Sequence, residues 1–81
     1  MKEVLNLEIA TPRGMFKENF EKTTKVQDVI AAVVQRMGLS GADRYELHHG
    51  DTVLQPIERP LVSFRLEGTV QLTLTATGSG V

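Results

Sequence analysis

The chain has 81 residues, which suits one domain with a single thin core, because a domain this small buries only about 60% of the surface its unfolded chain exposes. It has no Cys and no Trp, which excludes disulfides, thiolate metal sites and thiol nucleophiles. Its 9 basic and 10 acidic residues leave a net charge of −1, so there is no electrostatic footprint for nucleic acid or for an anionic membrane. No apolar run reaches the length that spans a bilayer, and the opening Met-Lys-Glu-Val lacks the apolar stretch of a secretion signal. A cytoplasmic monomer is expected.

In chain order, Leu5, Leu7 and Ile9 alternate with Asn6, Glu8 and Ala10, the period of a half-buried strand. Thr11-Pro12-Arg13-Gly14 is a turn signal, with Pro and Gly where a type I turn favours them. Met15 to Glu21 reads as the returning strand of a hairpin. Phe16 and Phe20 share a face with Glu18 between them, so a bulge near Asn19 or an edge position is needed to bring Glu18 to water.

The chain is organised around a helix expected from Thr24 to Gly38. Thr24 and Gln27 fit a capping box, and Asp28 suits the positive end of the helix dipole. Val26, Val29, Ile30, Val33, Val34 and Met37 form one apolar stripe. Gly38 and Leu39 fit the C′ and C″ positions of a Schellman ending. Valine and isoleucine are indifferent helix formers, so packing must hold this helix.

Ser40-Gly41-Ala42-Asp43 reads as a loop. Tyr45 and Leu47 alternate with Glu46 and His48 in a short strand, followed by a turn at His49-Gly50-Asp51 and a brief strand at Thr52-Val53-Leu54. Gln55 to Pro60 holds two prolines and should be irregular. Leu61, Phe64 and Leu66 look like anchors that pin this segment to the core. Val70, Leu72 and Leu74 then alternate with Gln71, Thr73 and Thr75. This uncharged strand, rich in β-formers, would be an aggregation hazard at an edge, and so belongs in the sheet's middle beside the first strand. A domain over residues 1–75 with a flexible tail over 76–81 follows. The tail, Ala76-Thr77-Gly78-Ser79-Gly80-Val81, has little to bury. A hairpin, a helix and returning strands make an α+β fold, a mixed sheet packed on one central helix.

From the hairpin to the tail, this order resembles ubiquitin and its β-grasp relatives. The resemblance rests on the helix start Thr24-Lys25-Val26-Gln27-Asp28-Val29, on the spacing of Leu61, Phe64 and Leu66, on the alternation of Val70, Leu72 and Leu74, and on Gly78 near the first glycine of ubiquitin's terminal pair. The departures are as informative. Thr75 stands about where ubiquitin has the arginine its activating enzyme reads. Glu46 or His48, with Thr73, replace its exposed aliphatic docking patch. The tail ends Gly78-Ser79-Gly80-Val81 rather than Gly-Gly. The chain is in this respect similar to divergent bacterial ubiquitin-like proteins that accompany their own activating, conjugating and JAMM-type protease enzymes.

The resemblance implies a protein modifier, conjugated by an isopeptide bond. Gly78, Ser79 and Gly80 are small enough to thread a narrow enzyme channel, and removing Val81 would expose Gly80 as the reacting terminus. Its partners would be an E1-like activating enzyme, an E2-like conjugating enzyme and a JAMM-type protease, with Lys2, Lys17, Lys22 and Lys25 as candidate chain-forming amines. The alternative is a non-covalent β-grasp module, such as a small subunit of a multicomponent enzyme or secretion system, binding by its sheet or a strand edge. A sulfur carrier fits less well, since such proteins usually end in Gly-Gly.

No enzyme constellation, cofactor or metal site is expected. His48 and His49 read as surface turn residues whose side chains would diverge in a strand. Asp51, Glu58 and Glu67 lie in separate loops, and Ser40, Ser63 and Ser79 lack the context of a nucleophile. The face away from the helix should carry Asn6, Glu8, His48, Gln71, Thr73 and Thr75, and such faces are usually just solvated.

Overall fold

The computed structural model describes residues 4–39, 41 and 44–77. Its elements follow the expected order: β1 (Val4–Thr11), β2 (Gly14–Glu21), α1 (Val26–Met37), β3 (Arg44–His49), β4 (Thr52–Val53), a 3-10 turn (Leu61–Phe64) and β5 (Thr69–Thr77). The strands form one mixed five-stranded sheet in the order β2-β1-β5-β3-β4. β5 lies at the centre, parallel to β1 and antiparallel to β3, with Ile9 opposite Leu72 and Leu47 opposite Leu74.

Alternation sorts the side chains as the period of two requires. Leu5, Leu7, Ile9, Phe16, Leu47, Val70, Leu72 and Leu74 are buried, together with Val26, Val29 and Val33 of the helix. Burial of each such side chain is worth about 1.5–3 kcal/mol. This is what holds a valine-rich helix of mediocre intrinsic propensity against the sheet.

β1 and β2 are joined by a tight turn at Pro12-Arg13. The Arg13 amide donates to Thr11 Oγ1 (3.1 Å), and that hydroxyl donates to the Gly14 carbonyl (2.7 Å). Pairing runs unbroken from Thr11↔Gly14 to Val4↔Glu21, so there is no bulge at Asn19. The Glu18 conflict is resolved by the edge: β2 is the outermost strand, and Glu18 receives Arg36 from the helix (Nη1–Oε1 3.2 Å, Nη2–Oε2 3.5 Å).

The helix start differs from expectation. The N-cap is Lys25, in extended conformation, and no side chain caps the helix; Thr24 and Gln27 do not form a capping box. The first N–H groups are satisfied by distant backbone instead. Val26 donates to the Arg59 carbonyl (3.0 Å) and Gln27 to the Ile57 carbonyl (2.8 Å). Leu61 N–H in turn bonds the Thr24 carbonyl (2.9 Å), and Thr24 sits in the bend one residue before the N-cap, too early to cap. The irregular segment that supplies these carbonyls is pinned, as expected, by buried Leu61 and Leu66 and by Phe64 packed against the core.

At its other end the helix closes as a Schellman motif. Gly38 is left-handed (φ 65°), Leu39 N–H bonds the Val34 carbonyl (2.9 Å), and Gly38 N–H bonds the Gln35 carbonyl (3.4 Å).

Candidate functional site

The expected conjugation residues Gly78, Ser79 and Gly80, and the processing residue Val81, lie outside the described residues. The structure does describe the surface on which they follow. β5 continues to Thr77, two residues past the expected domain boundary at 75, with Ala76 opposite Tyr45 and Thr77 opposite Arg44 of β3. Thr77 suits a strand by its β-branched side chain. Thr77 Oγ1 donates to the Arg44 carbonyl (3.4 Å).

Beside Thr77 runs an open groove of about 430 Å³. Three elements build it: Gln27 and Ile30 of α1, Arg44, Tyr45 and Glu46 of β3, and Gln55 and Ile57 of the segment that caps the helix. Ile30 and Tyr45 are half-buried, while Ile57 is 38% exposed. The Arg44 guanidinium has no ion pair among the described residues. Sequence reasoning placed Ile30 in the helix's apolar stripe and did not single out Arg44 or Ile57, because the groove exists only once three distant stretches meet. The one local signal was Ile57 itself, an aliphatic residue in a proline-bearing polar loop.

The sheet face away from the helix carries the expected polar residues. Across its strands Lys17 lies opposite Glu8 and Glu8 opposite Gln71, while Thr73 faces His48 and Thr75 faces Glu46. His48 lies within β3 rather than in a turn; only His49, the strand's last residue, is exposed beside Gly50. The His48 ring is half-buried, with Nε2 3.1 Å from both Glu46 Oε1 and Thr75 Oγ1. Glu46 and His48 alternate with Leu47 and so share this face, and the pair is made across it. Among the described residues no cluster of three His, Asp or Glu converges to hold a metal ion.

The candidate amines differ in access. Lys22 is only 15% exposed and its Nζ lies 2.8 Å from Glu67 Oε2. That hydrogen bond, reinforced by the lysine's charge, holds the Glu67 carboxyl below its ordinary value of 4.5. Lys17 and Lys25 are exposed, and Lys2 lies outside the described residues. Ser63 spends its hydroxyl on the Pro60 carbonyl (2.8 Å), a turn contact rather than a nucleophile's setting.

The backbone superposes on solved ubiquitin-like structures over nearly its whole length. The ubiquitin-like domain of an Arabidopsis thaliana protein matches with a TM-score of 0.78 at 11% identity, covering 93% of this chain and 79% of that one. The fold is the ubiquitin-like β-grasp. A structure described as molecular mimicry of SUMO promoting DNA repair matches with a TM-score of 0.81 at 18% identity, covering 93% and 92% of the two chains. A chain of the pParkin–pUb–UbcH7 complex matches with a TM-score of 0.77 at 17% identity, covering 91% of this chain and 23% of that one. No family model and no curated protein sequence matches. The likeness therefore lies in the path of the β-grasp backbone.

Proposed function

We propose that this chain is a ubiquitin-like protein modifier, joined to lysine amines through Gly80 after Val81 is removed. The observation that carries the reading is the central strand. β5 runs through the middle of the β-grasp sheet, paired with β1 up to Thr73 and with β3 up to Thr77. In sequence it leads directly into Gly78-Ser79-Gly80, whose small side chains suit passage through a narrow enzyme channel.

The chemistry follows from a terminal carboxylate. A JAMM-type protease hydrolyses the Gly80–Val81 bond, consuming one water. An E1-like enzyme adenylates the Gly80 carboxylate with a nucleoside triphosphate, releasing pyrophosphate. Its thiol then displaces the nucleotide monophosphate to form a thioester, which passes to an E2-like thiol. A lysine amine attacks the thioester carbonyl, forming the amide and releasing the thiol. The modifier supplies no catalytic group to these steps. If chains form on the modifier itself, Lys17 and Lys25 are better acceptors than Lys22, whose amine is held by Glu67.

Mass spectrometry of the N-terminally tagged protein, recovered under denaturing conditions from its native host, tests this. A species ending at Gly80, with Gly80 remnants on lysines of other proteins, is the expected result. A single species ending at Val81 without adducts overturns the reading. That outcome would favour a non-covalent β-grasp module, for which the eight-residue edge strand β2 offers a backbone to pair with. Deleting residues 78–81 would then leave binding unchanged.

A further inference from the structure

We infer that the edge strand β2 pairs with β2 of a second copy of this chain, antiparallel about a two-fold axis at Asn19, so that Lys17 of each copy meets Glu21 of the other. The inference goes beyond the modifier reading and does not depend on it. The monomer expected from the sequence is then the dilute form.

The backbone of this edge is open to a further strand. β2 is the outermost strand and runs for eight residues, Gly14–Glu21, with β1 on one side of it only. Thr11↔Gly14 closes the two-residue loop Pro12-Arg13 as a hydrogen-bonded pair, and such pairs alternate with non-bonded ones down an antiparallel ladder. Phe16, Glu18 and Phe20 therefore direct their backbone groups at β1, while those of Met15, Lys17, Asn19 and Glu21 point away from the sheet. The Glu21 carbonyl takes Thr24 N–H (2.9 Å) and keeps a second lone pair.

The side chains on that row complement themselves. Lys17, Asn19 and Glu21 are exposed and share the sheet face away from the helix, opposite Glu8, Asn6 and Val4 of β1. A two-fold axis at Asn19 sets Asn19 against Asn19 and each Lys17 against the other copy's Glu21. Opposite charges placed directly across a sheet stabilise it, and like charges weaken it. The two asparagine amides exchange donor and acceptor across the axis, and a carboxylate accepts several donors, so Glu21 can take Lys17 of the second copy alongside a partner in its own chain.

The same charges disfavour the neighbouring registers. Moving the axis one residue toward the hairpin turn sets Glu18 against Glu18 and leaves Lys17 facing only Asn19. Moving it two residues sets Lys17 against Lys17. Moving it one residue the other way shortens the ladder from residues 17–21 of each strand to residues 19–21. Charges on an edge strand ordinarily keep other strands off it. On β2 they close the slipped pairings and leave one register favourable.

The pairing joins two sheets edge to edge into one. β1 is antiparallel to β2 and parallel to β5, so the β5 strands of the two copies run in opposite directions. The residues after Thr77 then leave from opposite ends of the joined sheet, and neither copy covers the other's tail.

The test is self-association of the full chain, followed by sedimentation and by nitrogen-15 spectra over a dilution series. A dissociation constant of about 0.1–1 mM suits so small and polar an interface. Concentration-dependent shifts are expected at the amides of Lys17, Asn19 and Glu21. Lys17→Glu and Glu21→Lys are exposed substitutions, and each should weaken self-association about tenfold or more, because both charge pairs become repulsive. An equimolar mixture of the two variants should associate as wild type does, since each supplies the charge that the other lacks. The proposal is overturned by absence of self-association at about 1 mM, by shifts centred on another surface, by single variants that associate as wild type does, or by a mixture no stronger than its components.

Discussion

The two ends of helix α1 are closed by opposite means. At its C-terminus the closure is local: Gly38 turns left-handed, and Leu39 returns to the Val34 carbonyl within one turn of chain. At its N-terminus the closure is remote: the carbonyls of Ile57 and Arg59 satisfy Gln27 and Val26, and no nearby side chain takes part. The first kind of closure depends on one glycine. The second depends on everything that holds the segment 55–64 in place. An isolated helix would fray at its start and hold its finish, and only the folded domain makes both ends secure.

The strongest way to break the remote closure is to loosen its anchor. Leu61 is fully buried, and its N–H also ties down the Thr24 carbonyl. Leu61→Ala should cost about 3 kcal/mol in urea unfolding, typical of a leucine emptied from a core. Amide exchange at Val26 and Gln27 should then quicken more than at Leu39. Equal acceleration at both ends would show that the two closures are not independent.

The local closure is broken at Gly38. An added Cβ would meet Arg13 Nη1 at 3.6 Å, an ordinary contact, so the cost is the left-handed backbone itself (φ 65°). Gly38→Ala should lower stability by about 1 kcal/mol, and Gly38→Asn by less, because Asn tolerates that conformation better. Thermal unfolding of the two variants side by side gives the ranking.

Thr24→Ala sharpens the contrast at the other end. A true capping threonine is worth ~1 kcal/mol. Here its side chain caps nothing, and a loss under about 0.5 kcal/mol is expected, the range of a substitution away from special features. A full kilocalorie in denaturant titration would restore the capping box.

The smallest effect is electrostatic and depends on pH. Lys22, just before the helix, accepts Val62 N–H on its carbonyl and pairs with Glu67 through its amine. The Glu67 carboxyl is held below 4.5 in the fold, so the pair's stabilisation is present above the unfolded value and is lost as pH falls through the folded one. Wild type should exceed Glu67→Gln slightly near neutrality, and the two should converge as pH falls through the lowered value of the folded state, where the carboxyl takes up its proton. A gap that persists in acid would mean that Glu67 acts by shape rather than charge.

The same contrast explains what the sequence made legible. The Schellman ending was readable because Gly38 and Leu39 sit beside the carbonyls they close. The alternation of Leu5, Leu7 and Ile9, and of Val70, Leu72 and Leu74, was readable because the pleat imposes it on neighbours. From that followed the order of elements and the central place of β5. The capping box misled because Thr24 and Gln27 satisfy a local rule, while the carbonyls that win come from Ile57 and Arg59. Glu18 was ambiguous for the same reason, since its partner Arg36 lies on another element. The Thr77 groove was invisible because no single stretch contains it. Polarity at Thr73, Thr75 and His48 was readable, but the placement of His48 opposite Thr73 and of Glu46 opposite Thr75 needed the register of β3 on β5.

The parallel pairing of β1 with β5 also sets a schedule for synthesis. The hairpin of β1 and β2 leaves the ribosome first, yet the inner edge of β1 has no partner until Val70 and Leu72 are made. At about 5–20 residues per second, that edge waits roughly 3–12 s. During this time α1 is made, but β1 still lacks β5 beside Leu7 and Ile9. The sheet is therefore complete only when its central strand, the last made, pairs with β1 and β3.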